Sequence, residues 1–269
     1  MKKISLALVV LSGALNIAVA DMLSFSGGVG YWQENIGGYV KNKNVINYFQ
    51  NKQVETDGNL STGNFGLRDK KNPYLWVKLV HSIPLIPNIK LQYTKYNSTG
   101  YSSYFSAGEI SFGDDRITVS LDKATTIQKI NSYDLALFYE FNPAIVDVEV
   151  GLGIDLWKGK TTIYGSGVGE SSTEASGSWS VPLPYLYGGI ETTKFSGFSF
   201  NANVKLSKVS KAHHYDYQFG LSYTIDNMFS SINPFIKLGY RYKEVYVKDE
   251  NTEVVLKYQG TFLEIGGKF

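Results

Sequence analysis

Residues 146–156 read VDVEVGLGIDL. Val146, Val148, Val150, Leu152, Ile154 and Leu156 take every second position, and Asp147, Glu149, Gly151, Gly153 and Asp155 take the others. A period of two is the signature of a strand with one apolar face. The run is long for a soluble strand, which usually has about five or six residues. About nine to eleven residues is instead the length at which a tilted strand crosses the hydrocarbon of a membrane. Two aspartates and a glutamate on the opposite face make that face the inner wall of something, and the apolar face the outer one.

The same alternation recurs along the chain. Leu23, Phe25, Gly27, Val29 and Tyr31 form one apolar set; Leu75, Val77 and Leu79 a second; Ile89, Leu91 and Tyr93 a third. Tyr133, Leu135, Leu137, Tyr139 and Phe141 precede the quoted run, and a weaker set at Leu186, Gly188 and Ile190 follows it. Then come Phe198 to Leu206, Tyr215 to Ile225, Ile236 to Tyr242, and finally Leu263, Ile265, Gly267 and Phe269 in the ending TFLEIGGKF, residues 261–269. The reading predicts about ten strands, with eight to twelve as the range.

Short turns fall at 82–88, 142–143, 194–197 and 226–233, after the second, fourth, sixth and eighth strands. Longer polar connections fall at 34–73, 98–130 and 158–182, with shorter ones near 208–214 and 244–255. Tight turns alternating with longer loops are the pattern of an outer-membrane barrel, the turns periplasmic and the loops extracellular. In hydrocarbon every backbone N–H and C=O must be paired within the protein, so the sheet has to close. The predicted fold is therefore all-β: a closed antiparallel up-and-down transmembrane β-barrel, its last strand pairing with its first. A second alternation inside 98–130, Glu109 to Phe112 and Arg116 to Leu121 around Gly113-Asp114-Asp115, is read as the third and fourth strands continuing beyond the bilayer. A plug hairpin is the alternative.

The composition agrees: 43% hydrophobic and 14% aromatic residues, 27 Gly, and no Cys. Residues 1–20, MKKISLALVVLSGALNIAVA, have the basic, apolar and small-x-small layout of a secretory signal peptide. Its removal leaves residues 21–269 as one barrel domain. No other stretch approaches the roughly 18 apolar residues of a spanning helix. Without Lys2 and Lys3, 24 basic residues balance 24 acidic ones, which argues against nucleic acid as a partner.

The alternation also sorts the charges. The inward set holds Asp134, Glu140, Asp147, Glu149, Asp155, Glu191 and Glu264, with Lys78, Lys90, Lys205, Lys237, Arg241 and Lys268. Inward charges left dry and unpaired would cost several kcal/mol each, so opposite signs on facing walls are expected to pair. Trp32, Trp76 and Trp157 share the inward phase. This describes a filled, salt-bridged interior and a structural or surface-binding role; a narrow porin-like channel between two charged walls is the alternative. Outward aromatics gather at both ends, Tyr31, Tyr93, Tyr133 and Tyr240 at one and Phe141, Phe198 and Phe269 at the other, as membrane-interface girdles do.

No cofactor or metal motif is present, and the only catalytic arrangement to weigh is a rim site from His213, His214, Asp216, Asp114 and Asp115, as an omptin-like protease would use. These histidines are read as loop residues. Tyr39, Tyr48, Phe49 and Tyr104 in the long connections are candidate anchors for an extracellular ligand.

An exported chain whose final strand alternates to Phe269 resembles the outer-membrane proteins read by the barrel-assembly machinery. The runs YLWVKLVHSIPLIPNIKLQYT (74–94) and DLALFYE (134–140) are similar to a family of small outer-membrane β-barrel proteins. That resemblance implies residence in the cell outer membrane, with its lipid and lipopolysaccharide as partners. It implies no catalytic residues.

Overall fold

A computed structural model describes residues 23–43, 45–50, 61–103, 108–112, 115–119, 123–166, 173–209, 211–226, 232–249 and 252–269. The leader expected at 1–20, Tyr104 and Asp114 lie outside the described residues. Fourteen strands are present among them: β1 (Leu23–Asn42), β2 (Val45–Tyr48), β3 (Ser61–Asn64), β4 (Lys70–His81), β5 (Asn88–Ser102), β6 (Gly108–Phe112), β7 (Asp115–Val119), β8 (Lys123–Phe141), β9 (Val146–Ser166), β10 (Thr173–Thr192), β11 (Phe198–Val209), β12 (Ala212–Thr224), β13 (Asn233–Asp249) and β14 (Thr252–Lys268).

Ten of them, β1, β4, β5 and β8 to β14, pair antiparallel with their neighbours, and β14 pairs back onto β1. The closing register runs from Ser26 opposite Lys268 to Asn42 opposite Thr252. Phe25 and Phe269 complete it with reciprocal backbone hydrogen bonds of 3.4 and 2.8 Å. Closure leaves every strand with two neighbours, which is what lets a sheet sit in hydrocarbon.

Outward residues along the wall are large, apolar and exposed. On β9 they are Val150, Leu152 and Ile154; on β12 Phe219 and Leu221; on β14 Leu263 and Ile265. No helix among the described residues is long and apolar enough to cross a membrane. The turns at one end are tight. Ser196 (φ 50°) and Gly197 (φ 85°) form a two-residue hairpin closed by mutual Phe195–Phe198 hydrogen bonds of 2.8 and 2.9 Å. Two consecutive positive φ values match the right-handed twist of the flanking strands.

Three expectations are corrected. The connections at 34–73, 98–130 and 158–182 are largely strand: β1 runs on to Asn42, β5 to Ser102, β8 begins at Lys123, β9 reaches Ser166 and β10 begins at Thr173. Near 208–214 and 244–255 the strands likewise run almost to their tips. β9, with 21 residues, extends about 70 Å at about 3.3 Å per residue, far more than a hydrocarbon layer of about 30 Å requires. The wall therefore rises well above the membrane. Second, β6 and β7 do not continue β5 and β8. They form a separate two-stranded sheet, which lies near β10 and β1 on opposite sides of the barrel. Third, His213 and His214 belong to β12, not to a loop.

Above Glu34, β1 no longer has β4 beside it, and β2 pairs there instead, with β3 parallel to β2. The segment then meets β5 at the Leu67–Gly100 bridge. Phe49 stacks on Phe65 at 5.4 Å beneath it. Gly66 (φ +61°) allows the approach, since a Cβ there would lie 2.0 Å from the Tyr101 carbonyl oxygen.

Candidate functional site in the barrel interior

Because the outer face is apolar, every inward position delivers a side chain to the lumen. The lumen has two levels. At the short-turn end it is an open vestibule of about 210 Å³ whose lining includes Lys78, Lys90, Asp147, Glu191, Asn201 and Lys268. Lys78 bridges to Glu140 at 3.0 Å and also contacts Glu149. Lys268 reaches Glu191 at 2.5 Å, and Lys237 reaches Glu264 at 3.1 Å. Lys90 has no ion-pair partner among the described residues. Its Nζ lies over the rings of Trp76 and Tyr187, 5.6 Å from each centroid. Asp147 lines the vestibule, also without an ion pair among the described residues.

Above the vestibule the interior is filled. Lys205 of β11 crosses to Asp134 of β8 at 2.7 Å, and Tyr185 donates to the other oxygen of the same carboxylate at 2.7 Å. Lys243 of β13 crosses to Asp155 of β9 at 2.6 Å. Asp155 also accepts from Ser132 Oγ at 2.7 Å and Trp157 Nε1 at 2.8 Å. Arg241 grips Asp216 with two hydrogen bonds, Nε at 2.8 Å and Nη2 at 2.5 Å. Asp155 and Lys243 are each 0% exposed. Charged pairs this dry persist only when their remaining hydrogen-bonding sites are met, as Asp155 meets them here.

Aromatic rings pack the space between the charges. Tyr96 stacks on Trp157 at 5.2 Å and lies against Tyr258 at 4.8 Å; Arg241 sits 4.8 Å over Trp32 and Lys243 4.8 Å over Trp157. Inward glycines make room for the larger rings. A Cβ on Gly153 would stand 2.2 Å from Tyr185 Cζ, and one on Gly30 2.5 Å from Tyr74 Cζ. The lumen is a salt-bridged, ring-packed plug above an open vestibule.

Thus all thirteen charges singled out from the alternation lie in one of these two levels or, as with Glu264, between them, where it accepts from Tyr74 at 2.8 Å. Glu34, Asp216, Lys243 and His214 also belong to the plug and were not among them. Each stands in phase with an inward neighbour two residues away: Asp216 lies within the Tyr215–Ile225 alternation, and Glu34, Lys243 and His214 lie just past the ends of theirs. Of the girdle aromatics, Tyr31, Tyr133, Phe141, Phe198 and Phe269 are exposed. Tyr93 and Tyr240 are half-buried, their rings 5.3 and 5.7 Å from Tyr133 and Phe219.

Among the described residues, the two histidines of the candidate rim site stand apart. His213 stacks on Tyr246 at 4.5 Å on the outer face, whereas His214 is fully buried on the inner one. Asp216 is committed to Arg241. Of the candidate anchors, Phe49 is buried, and Tyr39 meets Tyr48 edge-on at 6.2 Å high on the wall. There the Tyr39 hydroxyl donates to Glu253 at 2.6 Å, and that bond, with partial burial, pushes the phenol up to about 12.

A closed antiparallel barrel with an apolar exterior and a polar interior defines the class: this is a β-barrel of the bacterial outer-membrane type. Comparison with solved structures returns barrels of the same kind. The attachment invasion locus protein Ail of Yersinia pestis, in complex with a heparin analogue, is 11% identical, with 92% of this chain and 99% of that chain covered and a TM-score of 0.35. The outer membrane protease OmpT of Escherichia coli is 9% identical, with 91% and 96% covered and a TM-score of 0.40. The β domain of the Bordetella autotransporter BrkA is 10% identical, with 93% and 99% covered and a TM-score of 0.34. No protein-family model and no curated protein matches the chain.

Proposed function

We propose that this barrel has a structural or surface-binding role and that its lumen is not a solute path. The observation that carries the reading is the dry mid-section, where Asp155, Lys243, Trp157 and His214 are each 0% exposed. A conducting pore needs a continuous column of water past its charges, as wide barrels have and small filled ones lack. Catalysis forms no part of this reading, because the two histidines lie on opposite faces of the wall. Work at the cell surface falls to the wall above the membrane, where an extracellular ligand has room to bind. Recognition by the assembly machinery through the strand ending in Phe269 completes the proposal.

A narrow channel is the second reading, and the vestibule favours it: its charged wall already brings water part of the way through. Planar-bilayer recording of the refolded barrel separates the two. A folded, heat-modifiable protein that gives no conductance steps supports the plug. Discrete steps whose cation preference falls in Asp147→Asn/Glu149→Gln would overturn it in favour of the channel.

A further inference from the structure

Around β5, β8, β9 and β10 the outward face changes character within a single row of residues. One row consists of Tyr93, Tyr133, Leu156 and Pro182, paired in register across the four strands. The outward rows beneath it are equally apolar, with Leu91, Leu135 and Ile154 and then Ile89, Leu137 and Leu152. The next row outward, on the side away from the short turns, is Lys95, Asn131, Lys158 and Ser180. The one after that is Asn97, Lys129, Lys160 and Ser178. Four exposed lysines thus occupy two rows with no acid in either. By strand geometry the whole cluster spans about 10 Å.

Lys129 and Lys160 stand directly opposite one another on adjacent strands. Like charges so placed destabilise a sheet. None of the four lysines has an ion-pair partner among the described residues; Lys158 lies 6.0 Å over the Tyr133 ring. Folding alone gives no reason to gather them. Their position does: they begin where the lipid-facing surface ends, at the level of the headgroups of the outer leaflet.

We infer that Lys95, Lys129, Lys158 and Lys160 form a binding site for the phosphorylated headgroup of the outer-leaflet glycolipid, lipopolysaccharide, with its acyl chains lying against the apolar rows below. Charge complementarity and continuity with the lipid face both select this occupant over a soluble anion, and the inference stands whether or not the lumen conducts. The lipid supplies the negative charge that offsets the Lys129–Lys160 repulsion.

The test uses the whole refolded barrel, the variant carrying Lys95→Gln, Lys129→Gln, Lys158→Gln and Lys160→Gln, and a control carrying Lys208→Gln, Lys211→Gln, Lys248→Gln and Lys257→Gln. Titration with lipopolysaccharide in non-ionic detergent should show affinity reduced by at least an order of magnitude in the first variant and little changed in the control, since each lysine near an anionic surface contributes measurably. Dephosphorylated lipopolysaccharide should bind the wild type as weakly as the intact lipid binds the variant. In neutral phospholipid vesicles Lys129→Gln should raise the unfolding temperature, and in vesicles containing lipopolysaccharide lower it. Equal affinity of variant and wild type, indifference to the lipid phosphates, or competition by millimolar inorganic phosphate would each overturn the assignment. So would failure of that sign to invert.

Discussion

Replacing Arg241 by Met tests whether the plug is dry. The substitution keeps an apolar stem in place of the guanidinium but leaves the Asp216 carboxylate, 3% exposed, without its two-point partner. Breaking a buried pair by removing one member typically destabilises by about 3–5 kcal/mol. Lys243 Nζ remains 3.7 Å from Asp216, although it is already engaged by Asp155, so the loss should sit near the lower figure, about 3 kcal/mol. Some of that is the cation–ring contact with Trp32, worth about 0.5–2 kcal/mol. Removing both charges in Arg241→Met/Asp216→Leu should return stability to within about 1 kcal/mol of wild type, because no buried charge is then orphaned. Reversible urea unfolding of the wild type, Arg241→Met, Asp216→Leu and the double variant in phospholipid vesicles, followed by tryptophan fluorescence and checked by heat-modifiable mobility, gives all four corners of the cycle. If the single variant unfolds at the same urea concentration as wild type, water reaches Asp216, and the account of a dry mid-section fails.

Three further outcomes are expected. Leu152→Arg, on the lipid face at mid-wall, should destabilise the vesicle-embedded barrel by about 2–4 kcal/mol; a neutral effect would show that this face does not meet hydrocarbon. Gly153→Val should displace the Tyr185 ring and loosen its bond to Asp134, at a cost of about 1–3 kcal/mol measured by the same unfolding assay; unchanged stability would mean that the ring has room to move. A cysteine at Thr162, on a background that has none, should be labelled on whole cells by a membrane-impermeant maleimide, and one at Leu152 should not. Equal labelling would contradict a wall that rises beyond the membrane.

The membrane-spanning part of the wall was legible because hydrocarbon writes a period of two into it. Val146 to Leu156 can be read at sight, and so can the tight turns, which Pro84, Pro87, Asn142, Pro143 and Gly197 mark. Beyond the bilayer that pressure disappears. Residues 158–166, KGKTTIYGS, are as fully paired as the run before them, yet their outer face lies beyond the hydrocarbon and the two faces no longer alternate in polarity. Backbone pairing continues where the side-chain signal stops, so a paired strand there has the sequence character of a loop. The β2–β3 insert is illegible for another reason: it is fixed by the parallel pairing of β3 with β2 and by the Leu67–Gly100 bridge to β5, contacts that no local pattern marks. The same limit hid the grip of Arg241 on Asp216. Phase places a charge in the lumen, but only the register between strands chooses its partner.

The closing pair has a consequence for how the molecule comes together. Of the ten interfaces in the ring, most join strands separated by a turn or a modest connection, and each can zip up locally. The β1–β14 seam instead joins Trp32 to Phe262 and Val29 to Ile265. Loop-closure entropy grows only logarithmically with length, so the seam is little more expensive thermodynamically than a long hairpin. Kinetically it differs, because contacts remote along the chain form late. Until it forms, two rows of backbone groups stay open on a sheet that is otherwise finished. The tempo of maturation is therefore set at one joint, and a pause there would leave an almost complete sheet with two adhesive borders.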